Sequence, residues 1–166
     1  MANLFELSFT RPENTTPYGA GDVIGIAAAT PANAGSAVHR LSSGGPPAGG
    51  LLVKITSTEL LVGLDTVPAG MTSLTMHLYS ASPPSALLDN AAWDLPAGDR
   101  SVYLGSVTMG TPVDLGGTIY IQTASLAKNV RLASDGSLYA YLVTVAGYTP
   151  ASATAMLARI YAERSL

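Results

Sequence analysis

The sequence predicts an all-β chain folded as a two-sheet antiparallel sandwich or jelly roll. Three observations predict it. Turn-forming residues recur about every 10–15 positions, the spacing of short strands. Several segments alternate strictly between apolar and polar residues, which is the period of a half-buried strand. Composition is the third: 48% of residues are hydrophobic and only 11% charged, against a usual charged share of about 25%. Ala, Ser, Thr and Gly fill the gap, so there is apolar material for a core but little for charged helix surfaces. The same figures exclude intrinsic disorder, which needs low hydrophobicity and high charge, and a charged coiled coil.

The elements follow in order. Between Asn3 and Thr10, Phe5, Leu7 and Phe9 share one face and Leu4, Glu6, Ser8 and Thr10 the other. Arg11 to Gly21 reads as a loop, and Val23 to Ala28 as a second strand. A short third strand is expected at Ser36 to Leu41. Ser42 to Gly50 (SSGGPPAGG) reads as irregular surface loop, because Gly and Pro break both ladders and helices. Leu51 to Leu64 is a long strand whose apolar set changes phase after Ser57, from Val53 and Ile55 to Leu60, Val62 and Leu64. A slip of one residue is what a β-bulge or a strand switching sheets produces. Ser73 to Tyr79 turns Leu74, Met76 and Leu78 inward. Strands are expected again at Val102–Met109, Thr118–Ala124, Asn129–Ala133 and Leu138–Val145. The last of these is apolar on both faces and has to be covered on both. Ala151 to Arg164 fits a helix by propensity and a strand by alternation; a strand is favoured because Leu138–Val145 needs a partner.

One domain spanning 1–166 is expected from this length, with one long connection at 80–100. Loops beyond about 12–15 residues carry function or structure of their own. This one holds the sole Trp, Trp93, with Leu87, Leu88 and Leu95. It is expected to pack across one end of the sandwich, with Ser85 capping a short turn and the outer edge at a contact.

Little chemistry is indicated. There is no Cys, so disulfides, thiolate metal sites and a Cys nucleophile are excluded. His39 and His77 have no supporting motif and read as surface or interface residues. Asp89, Asp94 and Asp99 are the candidates for a glycosidase carboxylate pair or for calcium ligands. Their spacing of five puts them on no common face, and Asp-Asn is a common turn former. No enzyme activity and no cofactor are expected. A net charge of −3 with eight scattered basic residues gives nucleic acid little to bind. No apolar h-region and no apolar run of membrane-spanning length occur, so the chain reads as soluble and cytoplasmic. Eight Tyr against two Phe favours protein contacts, where an apolar body with a polar tip is useful.

The segments Leu78-Tyr79-Ser80-Ala81-Ser82-Pro83-Pro84, Asp89-Asn90-Ala91-Ala92-Trp93-Asp94-Leu95 and Asp99-Arg100-Ser101-Val102-Tyr103-Leu104-Gly105 carry a resemblance. So does Thr15-Thr16-Pro17-Tyr18-Gly19-Ala20-Gly21-Asp22-Val23-Ile24-Gly25. Over about Leu4 to Pro150 the chain resembles small virion structural proteins of tailed bacteriophages, of the jelly-roll capsid decoration (cement) type. The resemblance implies binding to the outside of a major capsid protein lattice, with no catalytic residues to carry over. Self-association as a trimer or dimer is expected, and no nucleic acid or membrane partner. Trp93, Leu87, Leu88, Tyr139 and Tyr141 are the expected interface residues. Another virion part (tail, neck or spike) and a carbohydrate-binding jelly-roll module are the alternatives.

Overall fold

Alternating side chains make strands because successive residues point to opposite faces of a sheet. Eleven strands form among the described residues, and the longer ones, such as Leu52–Val62 and Ala155–Arg164, show that alternation. The computed structural model of the protein describes residues 2–27, 37–43 and 49–165. Strands and isolated bridges make up 47% of these residues, and among them the sole helical element is a 3-10 turn at Ala97–Asp99. The strands are β1 (Ala2–Thr10), β2 (Val23–Ile24), β3 (His39–Ser43), β4 (Leu52–Val62), β5 (Leu74–Tyr79), β6 (Tyr103–Thr108), β7 (Val113–Asp114), β8 (Ile119–Thr123), β9 (Lys128–Arg131), β10 (Leu138–Thr144) and β11 (Ala155–Arg164).

All pairings are antiparallel, in the order β6-β5-β10-β3-β1-β11-β4-β8-β7, with β2 beside β10 and β9 beside β4. The sheet curls at β3, which bonds β10 through His39–Leu41 and β1 through Ser42 and Ser43. Two halves thus face each other across one core, built from Phe5, Phe9, Ile55, Leu60 and Ile160 on one side and Leu74, Met76, Leu78, Leu138 and Leu142 on the other. The far edges approach as well: Gly110 N–H donates to Gln122 O at 3.0 Å. Gly is required there, since a Cβ on Gly110 would lie 2.4 Å from that oxygen.

This is the sandwich expected from the sequence, with differences in detail. The ambiguous C-terminal segment is a strand, seated centrally between β1 and β4. The phase change in β4 is a bulge: Tyr161 pairs with Ser57 but Ala162 with Ile55. Ser42 and Ser43, assigned to a loop, belong to β3 because they pair with Glu6 and Phe5. The rest of that Gly/Pro segment, 44–48, and the start of the expected third strand at Ser36 lie outside the described residues. The second strand keeps only Val23–Ile24, and β7 was not foreseen.

Candidate functional site

Each half of the sheet has an outer face, and the chain treats the two differently. On the β5/β10 half, Tyr79, Tyr141 and Val143 point away from the main core, yet they are buried. The long connection covers them, so it lies over a face of the sandwich rather than across an end. Backbone hydrogen bonds hold it there: Val23 N–H to Ala91 O and Asn90 N–H to Val23 O, both 2.9 Å, and Trp93 N–H to Gly21 O at 2.8 Å. Under it is a second apolar cluster of Val23, Tyr79, Tyr141 and Val143, against which Leu87, Trp93, Leu95, Tyr103 and Tyr139 pack.

The expected interface residues therefore divide. Tyr141 is fully enclosed by its own chain, with its hydroxyl donating to Ser85 O at 2.6 Å; it presents no surface, which corrects its assignment to an interface. Trp93 stacks on His77 with ring centroids 3.6 Å apart, and its Nε1–H donates to Tyr79 Oη at 3.3 Å. Trp93, Leu87 and Tyr139 are half-buried, while Leu88 is 48% exposed. The Tyr139 hydroxyl donates to Asp135 at 2.9 Å, which also pairs with Arg40 at 2.9 Å.

Both histidines are buried, contrary to the surface reading. His77 lies against Trp93 with the Tyr103 ring beside both, its Nδ1 3.0 Å from the Tyr103 hydroxyl, and burial pushes its pKa down to about 4. His39 meets the edge of Phe9 at 4.5 Å. Neither of its ring nitrogens makes a well-formed hydrogen bond. Burial pushes it down to about 4, against a smaller opposing pull from the backbone of Ala37 and Ala140. Both rings sit in strands whose neighbours are apolar, so they act as neutral packing groups.

The three loop carboxylates do not converge. Asp94 is exposed. Asp99 is buried and accepts bonds from the Ser85 N–H, at 3.0 Å, and the Ser85 hydroxyl. Ser85 therefore caps no turn of its own. Asp89 accepts from the Tyr18 hydroxyl at 2.6 Å and from Gly25 N–H at 2.8 Å, with Arg11 3.6 Å away. Arg11 is wholly buried. Its guanidinium donates to Tyr18 Oη and to Asn14 O and Oδ1, each at 2.7 Å, and to Ala151 O at 3.0 Å. A Cβ on Gly25 would lie 2.5 Å from that of Asp89, so the cluster needs glycine there. Among the described residues, no three His, Asp or Glu side chains form a group that could hold a metal ion.

The other half of the sheet has a bare outer face, carried by β1, β11, β4 and β8 with β9. The register sets its side chains in rows. One row is Ser8, Leu157, Leu61, Tyr120 and, on the edge strand, Val113. The next is Glu6, Arg159, Glu59 and Gln122, followed by Leu4, Tyr161 and Ser57. Then come Glu163, Lys54 and Asn129, and finally Ser165, Leu52 and Arg131. Arg159 pairs with Glu6 at 3.4 Å and Glu59 at 4.0 Å. The hydroxyls of Tyr120 and Tyr161 donate to Glu59 at 2.9 and 3.1 Å. Both phenols are pushed up, Tyr120 to about 12, by partial burial first and the Glu59 carboxylate second, so they stay neutral donors. An open groove of about 410 Å³ ends the face, lined by Thr10, Leu61, Gly63, Thr118, Ala155 and Leu157. Half-buried Leu and Tyr side chains and paired charges thus share this face. Tyr120 and Tyr161 were not singled out from the sequence; their positions opposite Leu61 and Leu4 were the signal available.

No protein-family model matches the chain, and no curated protein sequence matches it. Solved structures similar to it include a chain of the native virion of Kashmir bee virus at acidic pH, at a TM-score of 0.32 and 12% identity, covering 100% of this chain and 73% of that one. The Israel acute paralysis virus pentamer gives a TM-score of 0.29 at 10% identity, covering 100% and 91%. The full particle of Israeli acute paralysis virus heated to 63 degrees gives 0.29 at 9%, covering 100% and 74%. At such TM-scores the likeness carries no argument about what this chain does; its all-β antiparallel fold stands on its own register.

Proposed function

We infer that the chain is a non-catalytic structural protein of a virion, a decoration protein that binds the outside of a major capsid protein lattice and stabilises it. The observation that carries the reading is how the molecule uses its polar and aromatic groups. His77, Trp93 and Asp89 are engaged in holding the long connection onto the rest of the chain and Asp99 in bracing it internally against Ser85, and what the fold turns outward is surface suited to protein. The sequence resemblance to tailed-phage cement proteins points the same way. The capsid contact is assigned to the outer edge of the long connection, with Leu88 as its most exposed apolar residue, flanked by the free sides of Leu87, Trp93 and Tyr139.

The test is cosedimentation of the purified chain with undecorated capsids assembled from the major capsid protein of the same genome, followed by electron cryomicroscopy. Binding at a regular lattice position is expected, and Leu88→Asp should weaken it at least tenfold without lowering the melting temperature. A chain that stays in the supernatant, or density on the tail, overturns the decoration role. A glycan array hit lost in Trp93→Ala would favour the carbohydrate alternative.

A further inference from the structure

We propose that the bare face of β1, β11, β4 and β8/β9 is a two-fold self-association surface, on which a second copy of this chain packs face to face. The inference does not rest on the capsid reading. Its basis is the antisymmetry of charge about the Leu4–Tyr161–Ser57 row. On one side of that row β11 carries Arg159 and β4 carries Glu59; on the other, β11 carries Glu163 and β4 carries Lys54. The signs are reversed on both strands.

A two-fold axis in the interface plane, perpendicular to β11 and above Tyr161, lays β11 antiparallel on its copy and β4 on its copy. Each row then faces the row equally far on the other side of the axis. Arg159 meets the copy's Glu163, Glu59 meets its Lys54, and Tyr161 meets Tyr161. One row further out, Leu61 meets Leu52, which is 44% exposed in the single chain, and the Tyr120 ring meets Arg131. Self-complementarity of this kind is what a closed two-fold contact demands, because one patch serves as both partners. Aligned sheet-on-sheet packing within about 30° is a standard geometry. Five rows at about 6.8 Å and four strands at about 4.8 Å cover roughly 650 Å² on each copy. That reaches the total of about 1,000 Å² where specific interfaces begin.

The face also has the composition of an interface rather than of a solvated sheet, where polar residues would alternate outward. Leu4, Leu61, Leu157, Tyr120 and Tyr161 lie on it half-buried, with nothing from the described chain above them. The charged pairs sit between the apolar rows, where they would set register and exclude wrong alignments.

The decisive variant is Lys54→Glu with Glu163→Arg. Within one chain these two residues already pair at 3.8 Å, so exchanging them keeps that pair. Between copies the exchange sets Arg against Arg159 and Glu against Glu59, twice over by symmetry. Sedimentation velocity at micromolar concentration should show a dimer for the natural chain. The double variant should run as a monomer, its dissociation constant raised at least 100-fold and its melting profile at high dilution unchanged. Asp94→Lys, on the opposite side of the molecule, should leave the dimer intact. A monomeric or trimeric natural chain overturns the inference, and so does a double variant that dimerises as tightly as the natural chain. A dimer that ignores capsids fails only the decoration reading; a capsid-bound monomer fails only this one.

Discussion

His77 and Trp93 show how a single stack decides what a titratable residue does. An imidazole stacked on Trp93, with Tyr103 beside it, has lost most of its water, so its charged form is disfavoured. Unfolded, each histidine protonates near 6.5; folded, His39 and His77 do so only at about 4. Between those values the unfolded chain binds more protons, so stability is complete above about pH 6.5 and falls as pH drops toward 4. The loss should be at most about 3 kcal/mol per ring. Urea melts between pH 7 and pH 4 should show it, and His77→Gln should remove about half of the slope. Trp93→Ala strips one side of the same stack. It should cost about 3 kcal/mol, as large aromatic truncations do, and raise the His77 pKa toward 6.5 as water enters. NMR titration of the His77 ring and a thermal melt on one sample check both outcomes. An unchanged melt would mean that Trp93 does not hold the connection down.

Elements with few residues are held here by side chains from elsewhere, and the buried Arg11 is the clearest case. It joins the end of β1, the 11–18 loop, the Ala151 turn and, through Tyr18 and Asp89, the long connection. Removing one partner of a buried charge cluster leaves the other uncompensated. Arg11→Met should therefore cost about 3–5 kcal/mol, and Asp89→Asn, which leaves the buried guanidinium without its carboxylate, a similar amount. An Asp89→Asn variant as stable as the natural chain in urea titrations would refute this. None of this was legible in the sequence, because Arg11, Asn14 and Asp89 share no spacing. What was legible was periodic. Leu74, Met76 and Leu78 announced β5, and the displaced apolar set after Ser57 announced the bulge in β4. β7 went unseen since two residues have no period; it is held by pairing with β8 and by Asp114 accepting from Gly116 N–H at 2.7 Å. The reading of Tyr141 as a contact residue failed for a related reason. Alternation says that a tyrosine points away from the core, but not which outer face the chain will cover, and that depended on where residues 80–100 lie.

At the scale of the whole molecule the topology ties the first strand to the last. β1 pairs along its length with β11, from Ala2↔Glu163 to Thr10↔Ala155, and β11 bridges β1 to β4. Met156, Ala158, Ile160 and Ala162 are its contribution to the core. Contacts of such sequence separation require large loops to close before they are rewarded, which makes folding slow. Refolding from urea should therefore take milliseconds to seconds or longer, with no fast native phase. It follows too that one half of the curled sheet cannot stand without the final strand. A chain ending at Pro150 would leave β1 and β4 each with an open edge and bare Phe5, Phe9, Leu60 and Val62, an exposed strand surface of the kind that aggregates. The expected outcome is loss of the cooperative urea transition and of near-ultraviolet dichroism from the tyrosines, even though β5, β6 and β10 keep all their residues. Adding a synthetic peptide of residues 151–166 should restore the transition in part, since the missing strand would find both edges waiting. A truncated chain that melts cooperatively on its own would show that the β5/β10 half, with the long connection over its outer face, is a folding unit in itself, and that β11 only extends it.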